Sequence, residues 1–255
     1  MVSAMPDQRI DTKPPVSRTS LSSLSTHRLA RPAQQRRLAL NGAACLVGLP
    51  AWSSALFSVL GLSSAHASNA REGVDYRLLQ VQAPLESSDR IDVLGFFWFG
   101  CPHCYSLEPA LKAWAAKLPA DVAFRKVHVP WRDQLQQLYY SLEALNKLAL
   151  IDKVFEAVHK DKITLQNSQQ MAEWLARQGV EPKSFQDAFD SFGVRTRMKR
   201  AAQLAEAYRL DGVPAIGVAG KYLTAPSMAG SNQQVLAVVD ELVAIERRSR
   251  RSAKP

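Results

Sequence analysis

A short hydrophobic segment that runs directly into a pair of cysteines constrains the fold of this chain more than any other feature. Residues Asp92–Phe99 are mostly apolar and rich in β-formers, and their number fits a buried strand. Gly100 separates this segment from the motif Cys101-Pro102-His103-Cys104. Apolar residues then recur at helical spacing: Leu107, Leu111, Trp114, Ala115 and Leu118. The pattern predicts a strand followed at once by a helix whose first turn carries both cysteines.

The spacing of the two cysteines suits thiol–disulfide exchange. This chemistry needs two sulfur atoms within bonding distance, one of them exposed and ionised. At the start of a helix, unpaired N–H groups and the helix dipole favour a thiolate, and Pro102 fits the first turn because its missing N–H would have no partner there. We therefore predict that Cys101 is the attacking thiolate and that a buried Cys104 resolves the mixed disulfide. His103 is predicted to be a main cause of a lowered Cys101 pKa, through a hydrogen bond or its charge.

The main alternative from another functional class is a metal-binding carrier. An isolated pair of cysteines resembles half of a zinc site, and His103 would add a third ligand to Cys101 and Cys104. A structural zinc site usually has four ligands, and the chain has no second cysteine pair. The later histidines, His128 and His159, are not spaced as ligands. The sequence favours redox chemistry with neither metal nor cofactor, and the carrier stays as the alternative.

The N-terminal part has the features of an export signal. Residues 1–37 are rich in Ser, Arg, Pro and Gln and are predicted to be disordered. No charged residue occurs from Leu38 to Ala70, and Ala65-His66-Ala67 is a small-x-small cleavage pattern. We predict that residues 1–67 are a disordered n-region and signal peptide, cleaved near Ala67 to release a periplasmic protein. The alternative is an uncleaved inner-membrane anchor facing the periplasm, since the apolar run is long enough to span a bilayer.

The charge distribution argues against a nucleic-acid partner. The whole chain carries +9, but residues 1–67 account for +5 and residues 68–255 for only +4. Five basic residues also fall within the last nine positions of the chain. The folded part is therefore nearly neutral, which does not fit a nucleic-acid-binding protein. We interpret residues 251–255 as a solvated basic tail.

The order of elements indicates an α/β fold that contains an all-helical insertion. Strands are predicted at Asp75–Val81 and Val122–Val129, besides the one before the cysteines. Residues 133–209 show only helical patterns. Strands return at Ala215–Val218 and Lys221–Thr224, with a turn at Gly220, before a last helix from about Ser231 to Glu246. The prediction is a small mixed sheet built from residues 68–132 and 210–250, with residues 133–209 as an inserted helical domain.

Two segments resemble the active-site motifs of DsbA-type thiol:disulfide interchange proteins of the thioredoxin superfamily. They are residues 96–105, around the cysteines, and residues 212–215, which contain Val213-Pro214. The resemblance covers about residues 72–245 and implies a thioredoxin-like fold with a cis peptide at Val213–Pro214 facing the cysteines. It also implies that Val213 and Pro214 hold an extended substrate segment. The expected function is donation of a disulfide to reduced exported proteins, with reoxidation by a DsbB-type quinone-linked membrane oxidase.

Gly95 is a departure from the family pattern. Relatives commonly place an acid in the strand beneath the cysteines, where it is associated with proton movement at the buried cysteine, and this chain has glycine there. Because of this difference, the resemblance does not specify the pKa values of the two cysteines or the rate of thiol exchange. A periplasmic isomerase or a reductant is the alternative within the same chemistry. Isomerases of this group usually carry an N-terminal dimerisation domain, for which residues 68–75 leave no room, so we expect a monomer.

Overall fold

A computed structural model describes residues 70–87, 89–131 and 133–253. The predicted leader at residues 1–67, its cleavage site after Ala67 and Cys45 all lie outside the described residues. Within the described ranges, no helix combines the length and hydrophobicity needed to cross a bilayer.

Five strands form one mixed sheet in the spatial order β1-β5-β4-β2-β3. The central strand β2 pairs in parallel with β3 and antiparallel with β4, and every residue of β2 is buried. This burial agrees with the continuous apolar run, since a strand covered on both faces needs no alternation of polar residues. The strands are β1 (Arg77–Leu78), β2 (Ile91–Phe97), β3 (Val122–His128), β4 (Ala215–Val218) and β5 (Tyr222–Thr224).

Helices cover the sheet on both faces. Helices α1 (Pro102–Ala115) and α8 (Asn232–Ser252) pack together through residues such as Leu107, Val235 and Leu242, in a cluster that includes Val93 of β2. The insertion between β3 and β4 consists of five α-helices and a 3₁₀ turn at Leu148–Leu150. Its α-helices are α2 (Asp133–Ala144), α3 (Ile151–His159), α4 (Ser168–Ala176), α5 (Pro182–Phe189) and α6 (Phe192–Ala207), and a short helix α7 (Pro226–Ala229) precedes α8. The predicted fold class, a thioredoxin-like α/β fold with a helical insertion, is confirmed.

Strands β2, β3 and β5 differ from their predicted bounds by one or two residues at an end, and β1 and α8 differ more. The first strand is limited to Arg77–Leu78, where it pairs with β5, instead of spanning Asp75–Val81. The last helix continues to Ser252, so that Arg251 is helical and part of the predicted basic tail belongs to α8. Arginine is a good helix former and is favoured near the negative end of the helix dipole. Arg247 also anchors this end of α8 through an ion pair with Asp121, at 2.6 Å.

Candidate active site

The turn between β2 and α1 places Cys101 at the start of the helix. Strand β2 ends at Phe97, and the N–H of Cys101 donates a hydrogen bond to the carbonyl of Trp98 at 3.0 Å. Cys101 is the N-cap of α1, with an extended backbone, and its Sγ accepts a hydrogen bond from the N–H of Cys104 at 3.4 Å. The helix N-terminus therefore faces the sulfur of Cys101, as the strand-to-helix prediction requires.

The two cysteines differ in acidity although both are buried free thiols. The pKa of Cys101 is lowered to about 6, first of all by the hydrogen bond with the Cys104 thiol and then by the backbone N–H groups of Cys104 and His103. Burial opposes this shift. The pKa of Cys104 is raised, mainly by its hydrogen bond with Cys101 and by burial. The geometry thus favours ionisation of Cys101 and keeps Cys104 protonated.

His103 has a smaller part in this acidity in the structure than the sequence predicts. Its charge is the smallest of the contributions that lower the Cys101 pKa, behind even its own backbone N–H. The side chain of His103 is exposed, so water screens its charge from the sulfur. The largest contribution comes instead from the second cysteine of the pair.

The loop before β4, which contains Val213 and Pro214, lies next to Cys101. The peptide bond Val213–Pro214 is cis, as the resemblance implies, and the Cys101 thiol donates a hydrogen bond to the carbonyl of Val213 at 3.4 Å. A cleft of about 390 Å³ adjoins the loop and is lined by His103, Val213, Pro214 and the first residues of α7 and α8. The structure therefore brings all six site residues predicted from the sequence to one place: Cys101, Pro102, His103, Cys104, Val213 and Pro214.

A buried ion pair beneath Cys104 was missed by the sequence reasoning. Glu108 of α1 pairs with Lys126 of β3, and both border a small internal cavity next to Cys104 and Gly95. Burial raises the pKa of Glu108, opposed by Lys126, and the charge of Glu108 contributes to the raised pKa of Cys104. The sequence could have indicated Glu108, because it is a charged residue on the apolar face of α1, four positions after Cys104.

The ring of Phe124 lies close to Gly95. A Cβ atom at Gly95 would lie 3.1 Å from the ring of Phe124, so that ring already packs where a side chain would begin. The carboxyl group near Cys104 comes instead from Glu108 on the helix. Among the residues that the structure describes, no three His, Cys, Asp or Glu side chains come together as metal ligands.

We expect Cys104→Ala to raise the pKa of Cys101 by about 1–2, because it removes the thiol that stabilises the thiolate. Cys104→Ser retains a hydroxyl donor and should raise the pKa less, and His103→Ser should have the smallest effect. Thiolate absorbance followed during a pH titration measures all three variants. A larger shift in His103→Ser than in Cys104→Ala would show that the charge of the histidine dominates after all.

Comparisons with known proteins agree with this geometry. Residues 133–242 match the family described as the DSBA-like thioredoxin domain. The thiol:disulfide interchange protein DsbA of Bordetella parapertussis is 40% identical over 188 residues, which cover 72% of this chain and 90% of that protein. DsbA of Pseudomonas aeruginosa is 36% identical over 200 residues, covering 76% and 93%. The crystal structure of Pseudomonas aeruginosa DsbA superposes with a TM-score of 0.69 at 34% identity, covering 71% of this chain and 96% of that chain.

Proposed function

Because this chain belongs to the DsbA family and is a protein thiol–disulfide oxidoreductase, we propose that it donates the Cys101–Cys104 disulfide to reduced exported proteins. The observation that carries the proposal is the position of Cys101 at the N-cap of α1, where its Sγ accepts a hydrogen bond from the N–H of Cys104 at 3.4 Å and its pKa is lowered to about 6. Interactions that stabilise this thiolate exist only after the disulfide has opened. They therefore stabilise the reduced protein and make its disulfide a stronger oxidant.

The exchange proceeds through a mixed disulfide. A client thiolate attacks Sγ of Cys101, a client–Cys101 disulfide forms, and Cys104 leaves as a thiolate. A second client thiolate then attacks the client sulfur of the mixed disulfide, so that the client disulfide forms and Cys101 leaves as a thiolate. Two electrons pass from the client to the protein. The acidity of Cys101 favours the second step, because a thiol with a low pKa is the better leaving group.

The client segment is held by the loop at Val213 and Pro214. The carbonyl of Val213 lies 3.4 Å from Sγ of Cys101, and the neighbouring cleft provides room for an extended chain. An extended segment placed here brings its own cysteine close to Sγ of Cys101. The first residues of α7 and α8 form the far wall of this cleft.

Glu108 protonates Cys104 when that cysteine leaves. Burial raises the pKa of Glu108, and this carboxyl group borders the same small cavity as the Cys104 thiol, so it is placed to pass a proton to that sulfur. We expect Glu108→Gln to slow formation of the mixed disulfide by roughly 10²-fold near neutral pH, in the range of general acid catalysis. Rapid mixing of the oxidised protein with a thiol peptide measures the rate.

Lys126→Gln is the matched control for Glu108→Gln. It breaks the same ion pair but leaves the carboxyl group, whose pKa is then no longer lowered by Lys126. Its rate should stay near that of the unmodified protein. Equal slowing by both variants would show that the ion pair supports the fold and that Glu108 transfers no proton.

The protein acts in the periplasm after cleavage near Ala67, and a DsbB-type quinone-linked membrane oxidase restores its disulfide. Family membership and the Ala65-His66-Ala67 pattern support this part of the proposal. N-terminal sequencing of exported protein should begin near Ser68. Full-length chain retained in the membrane fraction would favour the anchored alternative.

The oxidant function is tested with a reduced, unfolded client that contains two cysteines. Oxidised protein should convert one client molecule for each disulfide it loses, and a thiol count on both partners follows the transfer. The isomerase or reductant alternative predicts that the reduced form of the protein, and not the oxidised form, is the active one. In that case the reduced protein would act faster, on a client whose disulfides are scrambled.

A further inference from the structure

The backbone of Phe99, two residues before Cys101, is bound on both sides by histidines. Its N–H donates a hydrogen bond to Nε2 of His128 at 3.2 Å, and its carbonyl accepts one from Nε2 of His159 at 2.7 Å. Phe99 and Gly100 are the central residues of the turn that the N–H of Cys101 closes onto Trp98. The two imidazoles therefore hold the turn that sets the position of Cys101.

His128 has a defined tautomer. Its Nδ1 donates to the carbonyl of Val129 at 3.0 Å, which leaves Nε2 without a proton and able to accept from Phe99. Complete burial lowers the pKa of His128 to about 3, so the ring stays neutral at the pH values at which thiol exchange occurs. The residue is held in turn by Gln136, whose side chain donates to its carbonyl at 2.8 Å.

His159 reaches the turn from the helical insertion. It is the last residue of α3, and its ring stacks on Tyr105 at 5.0 Å between centroids and 7° between planes. Tyr105 directly follows Cys104 on α1. The imidazole therefore contacts both sides of the active-site motif, the turn before Cys101 and the helix after Cys104.

A buried backbone group needs a hydrogen-bond partner. The simplest explanation of the bonds from His128 and His159 is that they satisfy the N–H and the carbonyl of Phe99. Two observations go beyond it. Both partners are side chains from other elements, and their bonds converge on one residue of the turn that Cys101 closes. The Cys101 thiolate is stabilised by backbone N–H groups of α1, the nearest at 3.4 Å, so its acidity depends on where this turn holds the sulfur.

We propose that His128 and His159 are positioning residues that hold the Trp98–Cys101 turn and thereby keep Sγ of Cys101 aligned with the first N–H groups of α1. Through His159 the helical insertion takes part in setting the acidity and oxidising strength of the cysteine pair. The inference deepens the proposed oxidant function and rests on it for its biological meaning. The dependence of the Cys101 pKa on the Trp98–Cys101 turn can be measured without any client protein.

The test compares His159→Phe with His159→Gln. Phenylalanine keeps a ring to stack on Tyr105 but has no hydrogen-bond donor, whereas glutamine keeps an N–H donor without the ring. For each variant we would measure the Cys101 pKa by thiolate absorbance, the equilibrium constant with glutathione, and the melting temperatures of the reduced and oxidised forms. We expect His159→Phe to raise the Cys101 pKa and to make the disulfide about threefold to tenfold less oxidising in this equilibrium. His159→Gln should lie near the unmodified protein.

Two results would overturn the proposal. One is a lower melting temperature in His159→Phe with an unchanged pKa and an unchanged glutathione equilibrium, which describes a purely structural contact. The other is an equal change in both variants, which would show that the donor at position 159 is not what matters. If His159→Phe does not fold, His159→Ala provides the same comparison at this helix end. Client oxidation by the unmodified protein is measured alongside, so that failure of the proposed function is seen separately.

Discussion

We expect Cys101→Ser to abolish the catalysed oxidation of client thiols, and Cys104→Ser to accumulate a mixed disulfide with a client that contains a disulfide. The difference follows from the unequal acidity of the two sulfurs, since the pKa is lowered to about 6 at Cys101 and raised at Cys104. With Cys101 removed, the remaining thiol is buried and protonated, so the rate should fall to the uncatalysed level. With Cys104 removed, the Cys101 thiolate attacks a disulfide of the client, a client–Cys101 disulfide forms and one client thiolate leaves, and no internal thiol remains to release the client.

Non-reducing gels of both reduced variants, mixed with the same client that contains a disulfide, measure this prediction. The unmodified protein shows the client complex only transiently, and Cys104→Ser should retain it until a reductant is added. The double variant is the control for adducts formed elsewhere on the chain. Equal trapping by Cys101→Ser and Cys104→Ser would contradict the assignment of the two roles.

Gly217→Ala should destabilise the protein by roughly 1–3 kcal/mol, the usual cost of overpacking a core. A Cβ atom at this position in β4 would lie 2.2 Å from Cε1 of Tyr208. Tyr208 cannot move aside easily. It is fully buried, packs against Phe96 at 5.0 Å between ring centroids, and accepts a hydrogen bond from the N–H of Gly220 at 3.1 Å.

Gly193→Ala is the matched control for Gly217→Ala. Gly193 lies in α6, and the nearest atom to a new Cβ there is Oγ of Ser191 at 3.9 Å. The same substitution should therefore stabilise the protein slightly, by up to about 0.5–1 kcal/mol, because alanine loses less backbone entropy in a helix. Chemical denaturation of both variants gives the two free energies of unfolding. A Gly217→Ala variant that is as stable as the unmodified protein, or more stable, would show that Tyr208 does not limit the space at β4.

Much of the fold was predictable from local patterns. The apolar run before Cys101 specifies a doubly buried strand, and the spacing after Cys104 specifies a helix, so the position of the cysteine pair followed from neighbouring residues. Strand β4 was predicted with its observed bounds, Ala215–Val218. The end of α8 was not predicted, because a run of arginines is typical of a solvated tail, whereas arginine also extends helices well.

The parts of the site that escaped prediction depend on contacts between distant residues. The pair of Glu108 and Lys126 joins a helix to a strand, and nothing in the local sequence around either residue indicates the other. The bonds from His128 and His159 to Phe99 span 29 and 60 residues of sequence. The role of His103 was overestimated for a related reason, since its exposure is a property of the folded surface and not of the motif.

The central claim, that the Cys101–Cys104 pair is an oxidant, is tested most directly by its reduction potential, measured by equilibration with glutathione. The stabilised Cys101 thiolate predicts a potential clearly more positive than the glutathione couple, above about −200 mV. A value near about −270 mV, typical of thiol proteins that act as reductants, would contradict the account.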